Sequence, residues 1–215
     1  MALGFALLAV SLAWFREFPD VARFLACLSL ACIASTMKVR LPGLQGTISV
    51  NFVFIFMGIA ELSLAETLTL SLAATVVQCL WRPKTRPKFI RVLFNASAVS
   101  ISTVLAYWTA HSIPCEPHEL AALAPAVAVF FVANIGMVSL AMALTSNTPL
   151  RMVWAQFHLW TFPYFLAGAV LAGAISASSH AVGWRVSLLA LPVMYLVYSY
   201  YDVYVSSQVA RHQAY

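Results

Sequence analysis

Few residues in this chain are able to do chemistry, and they sit in a strongly apolar background. Glu61 and Glu66 flank Leu62-Ser63-Leu64-Ala65 and are the only carboxylates between Val21 and Asn95. Ionisable side chains beside or within apolar runs are costly to hold and commonly bind a ligand or carry a proton. Helix capping is the plainer account of them, with Glu66 placed in a first helical turn where the dipole favours an anion. Ser49 and Asn51 follow the Pro42-Gly43 break and Gly46, a concentration of polarity that packing alone does not require. Asn51, Gln78, Asn95, Asn134 and Gln156 are amides in or at the edge of apolar runs, where hydrogen bonds between helices are the usual use. The stretch Gln156 to Phe165 sets His158, Pro163 and Tyr164 among aromatic residues. An interfacial aromatic belt and a pocket for an apolar ligand or chromophore both fit that composition. The candidate ligand-binding residues are Ser49, Asn51, Glu61, Glu66, Asn95, Asn134, His158 and Tyr164.

Catalytic patterns are largely absent. His118-Glu119 is followed by Ala122 where H-E-x-x-H needs histidine, and there is no G-x-S-x-G, P-loop or G-x-G-x-x-G. The cysteines, Cys27, Cys32, Cys79 and Cys115, form no C-x-x-C pair and no metal-ligand spacing. No catalytic residue, cofactor or metal is therefore expected, and an enzyme in this chain is not the expectation.

These groups must be positioned by a membrane bundle. Of the 215 residues 62% are hydrophobic and 9% charged, far from the quarter charged typical of a soluble domain. The net charge of +5 does not point to nucleic acid, because Arg82, Lys84, Arg86, Lys88 and Arg91 are concentrated between two apolar runs, as in the cytoplasmic loops of membrane proteins. A bilayer core of about 30 Å needs about 20 helical residues. Eight runs fit that ruler, some tightly: 2–15, 21–37, 47–60, 64–81, 92–111, 121–145, 153–177 and 184–205. Pro-Gly and charged breaks separate them. The expected fold is an all-α integral membrane protein, a bundle of about eight transmembrane helices. Its third, 47–60, is short or broken, since irregular backbone at membrane depth is tolerated only where protein buries it or a cavity receives it. Met1 to Trp14 lacks the basic start of a signal peptide and reads as a short first span.

Lys and Arg counts set the orientation. With the 82–91 loop cytoplasmic, alternation places Lys38, Arg40, Arg151 and Arg211 on the same side and leaves only Arg16, Arg23 and Arg185 outside. Both termini are then cytoplasmic. The last run passes through Tyr195, Tyr198, Tyr200, Tyr201 and Tyr204 and turns polar with no stop, as a helix leading to an output module would.

Several segments together resemble the MASE-type membrane-associated sensor domains that precede HD-GYP and GGDEF modules in bacterial cyclic-di-GMP signalling proteins. They are Lys38-Val39-Arg40-Leu41-Pro42-Gly43, Gly46 to Phe54, Gly58-Ile59-Ala60-Glu61-Leu62-Ser63-Leu64, Val77 to Arg82, Val92-Leu93-Phe94-Asn95 and Phe162-Pro163-Tyr164-Phe165. The likeness runs over most of the chain from about residue 21. It implies a sensor domain over 1–205 in the bacterial inner membrane, the start of a connecting helix at 206–215, and a cytoplasmic output domain as partner. It also implies a small-molecule or lipid ligand; signalling through a terminal helix favours a homodimer, and the clustering of the basic residues in one loop argues against a nucleic-acid partner. The Gly-rich turn and short apolar helix also resemble the substrate-binding membrane subunits of energy-coupling-factor transporters, the alternative reading. A membrane anchor without a ligand is a third. The ligand is expected between residues 43–51, the Glu61–Glu66 turn, Asn95 and Asn134. One pocket holding both Asn51 and Glu61 requires the short third helix to be sunk or tilted.

Overall fold

The computed structural model describes residues 20–40, 47–83, 87–114 and 120–213. The run 2–15, the Pro42–Gly46 break and Cys115 lie outside them. From Val21 the chain forms α1 (Val21–Ala34), a two-stranded antiparallel ladder of β1 (Lys38–Arg40) and β2 (Thr47–Ser49), then α2 (Phe52–Glu61), α3 (Leu64–Leu80) and α4 (Phe89–Ser112). It continues through α5 (Leu120–Ser146), α6 (Leu150–Val182), a 3-10 turn (Trp184–Leu189) and α7 (Ala190–Gln213). The architecture is helical, as expected, with one difference. The chain enters the short helix from a hairpin, Lys38 opposite Ser49 and Arg40 opposite Thr47, rather than from irregular coil. Val39, Thr47 and Ile48 are β-branched and favour such a ladder.

α4, the Ala121–Ser146 part of α5 and the Thr161–Ser179 part of α6 are long and apolar enough to cross a membrane. α1, α2 and α3 are apolar but shorter. Outward faces carry large apolar side chains, among them Trp108, Val132, Leu144, Leu166, Val170 and Leu196. That is the surface a bilayer covers.

At the centre lies α2. It has ten residues, and every one from Phe52 to Ile59 is buried. A helix apolar all round belongs in a protein interior or a membrane, and here α6, α3, α1, α4 and α5 all pack on it. Its closest approaches are set by glycine and aromatic rings. A Cβ on Gly168 of α6 would stand 2.1 Å from the Phe52 ring, so no side chain fits there. Phe52 stacks on Phe165 with centroids 4.5 Å apart, and Phe56 meets Phe130 edge-on at 5.3 Å. On the other side a Cβ at Gly58 would press on Thr67 of α3 at 3.1 Å. Thr67 donates its hydroxyl hydrogen to the Gly58 or Ser63 carbonyl, 2.9 Å from each. α6 runs through Pro163 as one helix.

Candidate functional site

Ser49 and Asn51 lie at one end of α2, and Glu61 and Glu66 at the other. The ten-residue length of α2 corresponds to ~15 Å at 1.5 Å per residue. Ser49 and Asn51 therefore do not share a pocket with Glu61 and Glu66. The short third helix is sunk in the core, as a joint site would need, yet it runs end to end between the two groups.

At the hairpin end, Ser49 donates to Asn51 Oδ1 at 2.8 Å, and Asn51 Nδ2 donates to Gln78 Oε1 at 3.3 Å. Asn51 occupies the N-cap of α2 but makes no side-chain cap bond. Its amide instead ties the end of β2 to the last turn of α3. Asn95, in α4, donates to Cys79 Sγ at 3.5 Å. Lys38 of β1 donates from Nζ to the Trp81 carbonyl at 2.5 Å. Burial pushes the Lys38 ammonium below its ordinary value, and the nearby Cys79 pulls it partly back. Arg82 lies over the Trp81 ring, 5.6 Å from its centroid. This end can clamp the hairpin onto α3 and carries basic groups toward its surface.

At the opposite end, Arg23 of α1 pairs with Glu61, whose side chain is 3% exposed. The Ser179 hydroxyl of α6 lies 2.8 Å from Glu61 Oε1 and 2.8 Å from the Ser176 carbonyl. Glu61 thus joins α1, α2 and α6. Two turns of chemistry follow at the head of α3. Ser63 and Glu66 form a capping box, in which Glu66 Oε2 accepts from the Ser63 amide at 2.9 Å and the Ser63 hydroxyl at 2.8 Å. Glu66 is 1% exposed, and its second oxygen, Oε1, has no hydrogen-bond partner.

Of the other sequence candidates, Asn134 is half-buried midway along α5, remote from either end. His158 and Tyr164 lie in α6, and their side chains are outside the described residues. Around them Phe165 is buried against Phe52, while Phe162 is exposed and meets Phe131 at 5.6 Å. Sequence reasoning missed Arg23, Ser179, Ser63, Gly58 and Gly168. The signal for Arg23 was present, a single cation opening an apolar run that otherwise has none until Lys38. Ser179 had no such signal. Among the described residues no group of His, Cys, Asp and Glu could hold a metal ion between them. No family model, curated protein or solved structure matches the chain.

Proposed function

We propose that the chain is a membrane-embedded signal-input unit that passes a change in its bundle to a cytoplasmic output module of cyclic-di-GMP type through α7. What supports the reading is the packing of α7 on β1. β1 pairs with β2, and β2 leads straight into the buried helix α2, whose far end is fixed by Arg23 and Ser179. A displacement of α2 at its Glu61 end therefore reaches α7 through a continuous set of packed elements. Such a device works when a ligand prefers one of two packings.

The unit sits in the bacterial inner membrane with eight spans, the run 2–15 supplying the first. Its hairpin end faces the cytoplasm, where nine of the twelve Lys and Arg residues fall by alternation. The test joins α7 in continuous helical register to a cyclase or phosphodiesterase module and compares wild type with Glu61→Gln and Asn51→Ala at equal membrane levels. The substitutions shift output several-fold if α2 controls α7. Output that matches wild type in both, and that survives exchange of the whole bundle for an unrelated one, leaves only an anchor.

A further inference from the structure

The end of α3 and the start of α4 come together at the hairpin end, and their exposed side chains are of two kinds. Trp81 and Arg82 close one segment, Lys88, Phe89, Ile90 and Arg91 open the other, and all six are exposed. Phe89 is 79% exposed and Ile90 58%, so neither is used inside the bundle. Cation and apolar group therefore adjoin residue by residue on one surface.

Three contacts hold the two segments to one corner. Asn95 Nδ2 donates to Cys79 Sγ at 3.5 Å and pins the second turn of α4 on the last turn of α3. Arg91 precedes Asn95 by four residues, on the same face and about 6 Å nearer the join, while Arg82 follows Cys79 by three. The Arg82 guanidinium lies over the Trp81 ring, 5.6 Å from its centroid, and Lys38 Nζ donates to the Trp81 carbonyl at 2.5 Å. Arg82 stands at φ 37°, a left-handed backbone uncommon for a side chain of its bulk. Stacking occupies the flat face of the guanidinium and leaves its N–H edge free to donate, and the Lys38 ammonium keeps two hydrogens.

None of these cations has a carboxylate partner among the described side chains. The sequence holds no Asp or Glu between Glu66, at the far end of α3, and Glu116, and the Arg23–Glu61 pair lies at the opposite end of α2. Asp202 belongs to α7, which packs on β1, and its side chain is outside the described residues. Like charges held together without a counter-ion draw an anion. Retention of basic loops on one side of a membrane accounts for the charge but not for exposed Phe89 and Ile90 among it. An occupant that satisfies both carries a negative group joined directly to apolar matter. Free phosphate lacks the second part, and a phospholipid with an anionic headgroup has both.

We propose that this corner binds an anionic phospholipid, with Lys38, Arg82 and Arg91 donating to its headgroup and Trp81, Phe89 and Ile90 lying along its acyl chains. Lys88 adds to the attracting charge. The lipid then ties β1 to the join of α3 and α4. The inference goes beyond the signal-input reading and needs only that the bundle lies in a bilayer. Its failure leaves that reading untouched, and lipid retained without effect on any output leaves this site standing.

The test ejects the full chain into a mass spectrometer from nanodiscs that hold phosphatidylglycerol and phosphatidylcholine in equal amounts with matched acyl chains, and weighs the lipid that stays bound. Phosphatidylglycerol is expected in about tenfold preference. Arg82→Gln with Arg91→Gln should bring the two lipids close to parity. Arg151→Gln with Arg185→Gln removes as much charge elsewhere and should keep the preference. All four arginines are exposed, so melting temperatures should stay near wild type. Arg82→Lys keeps the charge, loses the planar fork and should lose part of the preference. Phe89→Ser should lower retention of phosphatidylglycerol with every cation in place. Parity in wild type, or a preference lost equally in the two double variants, overturns the proposal. So does retention that Phe89→Ser leaves unchanged and that excess inorganic phosphate abolishes at constant ionic strength, since a free anion would then be the occupant.

Discussion

Arg23 and Glu61 are 38 residues apart and meet only in the folded bundle, so their pairing was not legible in the chain. Sequence order marks Arg23 as a lone cation opening an apolar run, and only the fold shows that Glu61 is its partner. The head of α3 was legible, because Ser63 three residues before Glu66 is the signature of a capping box. Removing one partner of a buried pair strands the other. Arg23→Ala should therefore cost about 3 kcal/mol, and Arg23→Met with Glu61→Met should recover much of that loss. Chemical denaturation of the single and double variants measures it, and equal stability of the two would mean the pair is solvent-screened. Ser63→Ala removes a donor to Glu66 and an acceptor for its amide and should cost about 1 kcal/mol.

Among the elements, the apolar runs translate closely into helices: 64–81 became Leu64–Leu80 and 92–111 became Phe89–Ser112. Length and hydropathy suffice there, because a long apolar run has few other ways to satisfy its backbone. The hairpin was missed, since strands of three residues carry too little alternation to be distinguished from the start of an apolar helix. The close contact at Gly168 was equally hidden, one glycine among several small residues in α6. It is the position where α2 is held most tightly, as an added Cβ would enter the Phe52 ring. Gly168→Ala should destabilise the bundle by about 1–3 kcal/mol through overpacking, and pairing it with Phe52→Leu should restore part of the loss. Gly168→Ala with the melting temperature of wild type would show that α2 and α6 are not pressed together.

For the whole molecule, the contacts Arg23–Glu61–Ser179 at one end and Lys38–Trp81, Asn51–Gln78 and Cys79–Asn95 at the other show that α1 to α4 alternate in direction and that α6 ends beside the end of α2. For these four helices the order of the apolar runs gave the same alternation. The two-cluster arrangement was not legible there, because nothing in residue order says how far α2 sinks. The proposed sidedness rests on the basic loops, and with the four native cysteines replaced a membrane-impermeant thiol reagent should label a cysteine at exposed Arg82 in inside-out vesicles and spare it in spheroplasts. In the proposed mechanism the Glu61 end, α2, the hairpin and α7 move as one linked set. Electron-electron distance measurement between spin labels on unnatural side chains at Leu144 and Val203, both exposed, tests it in the intact chain. Glu61→Gln should shift the distance distribution relative to wild type. Superimposable distributions in a variant that still folds would contradict the linkage.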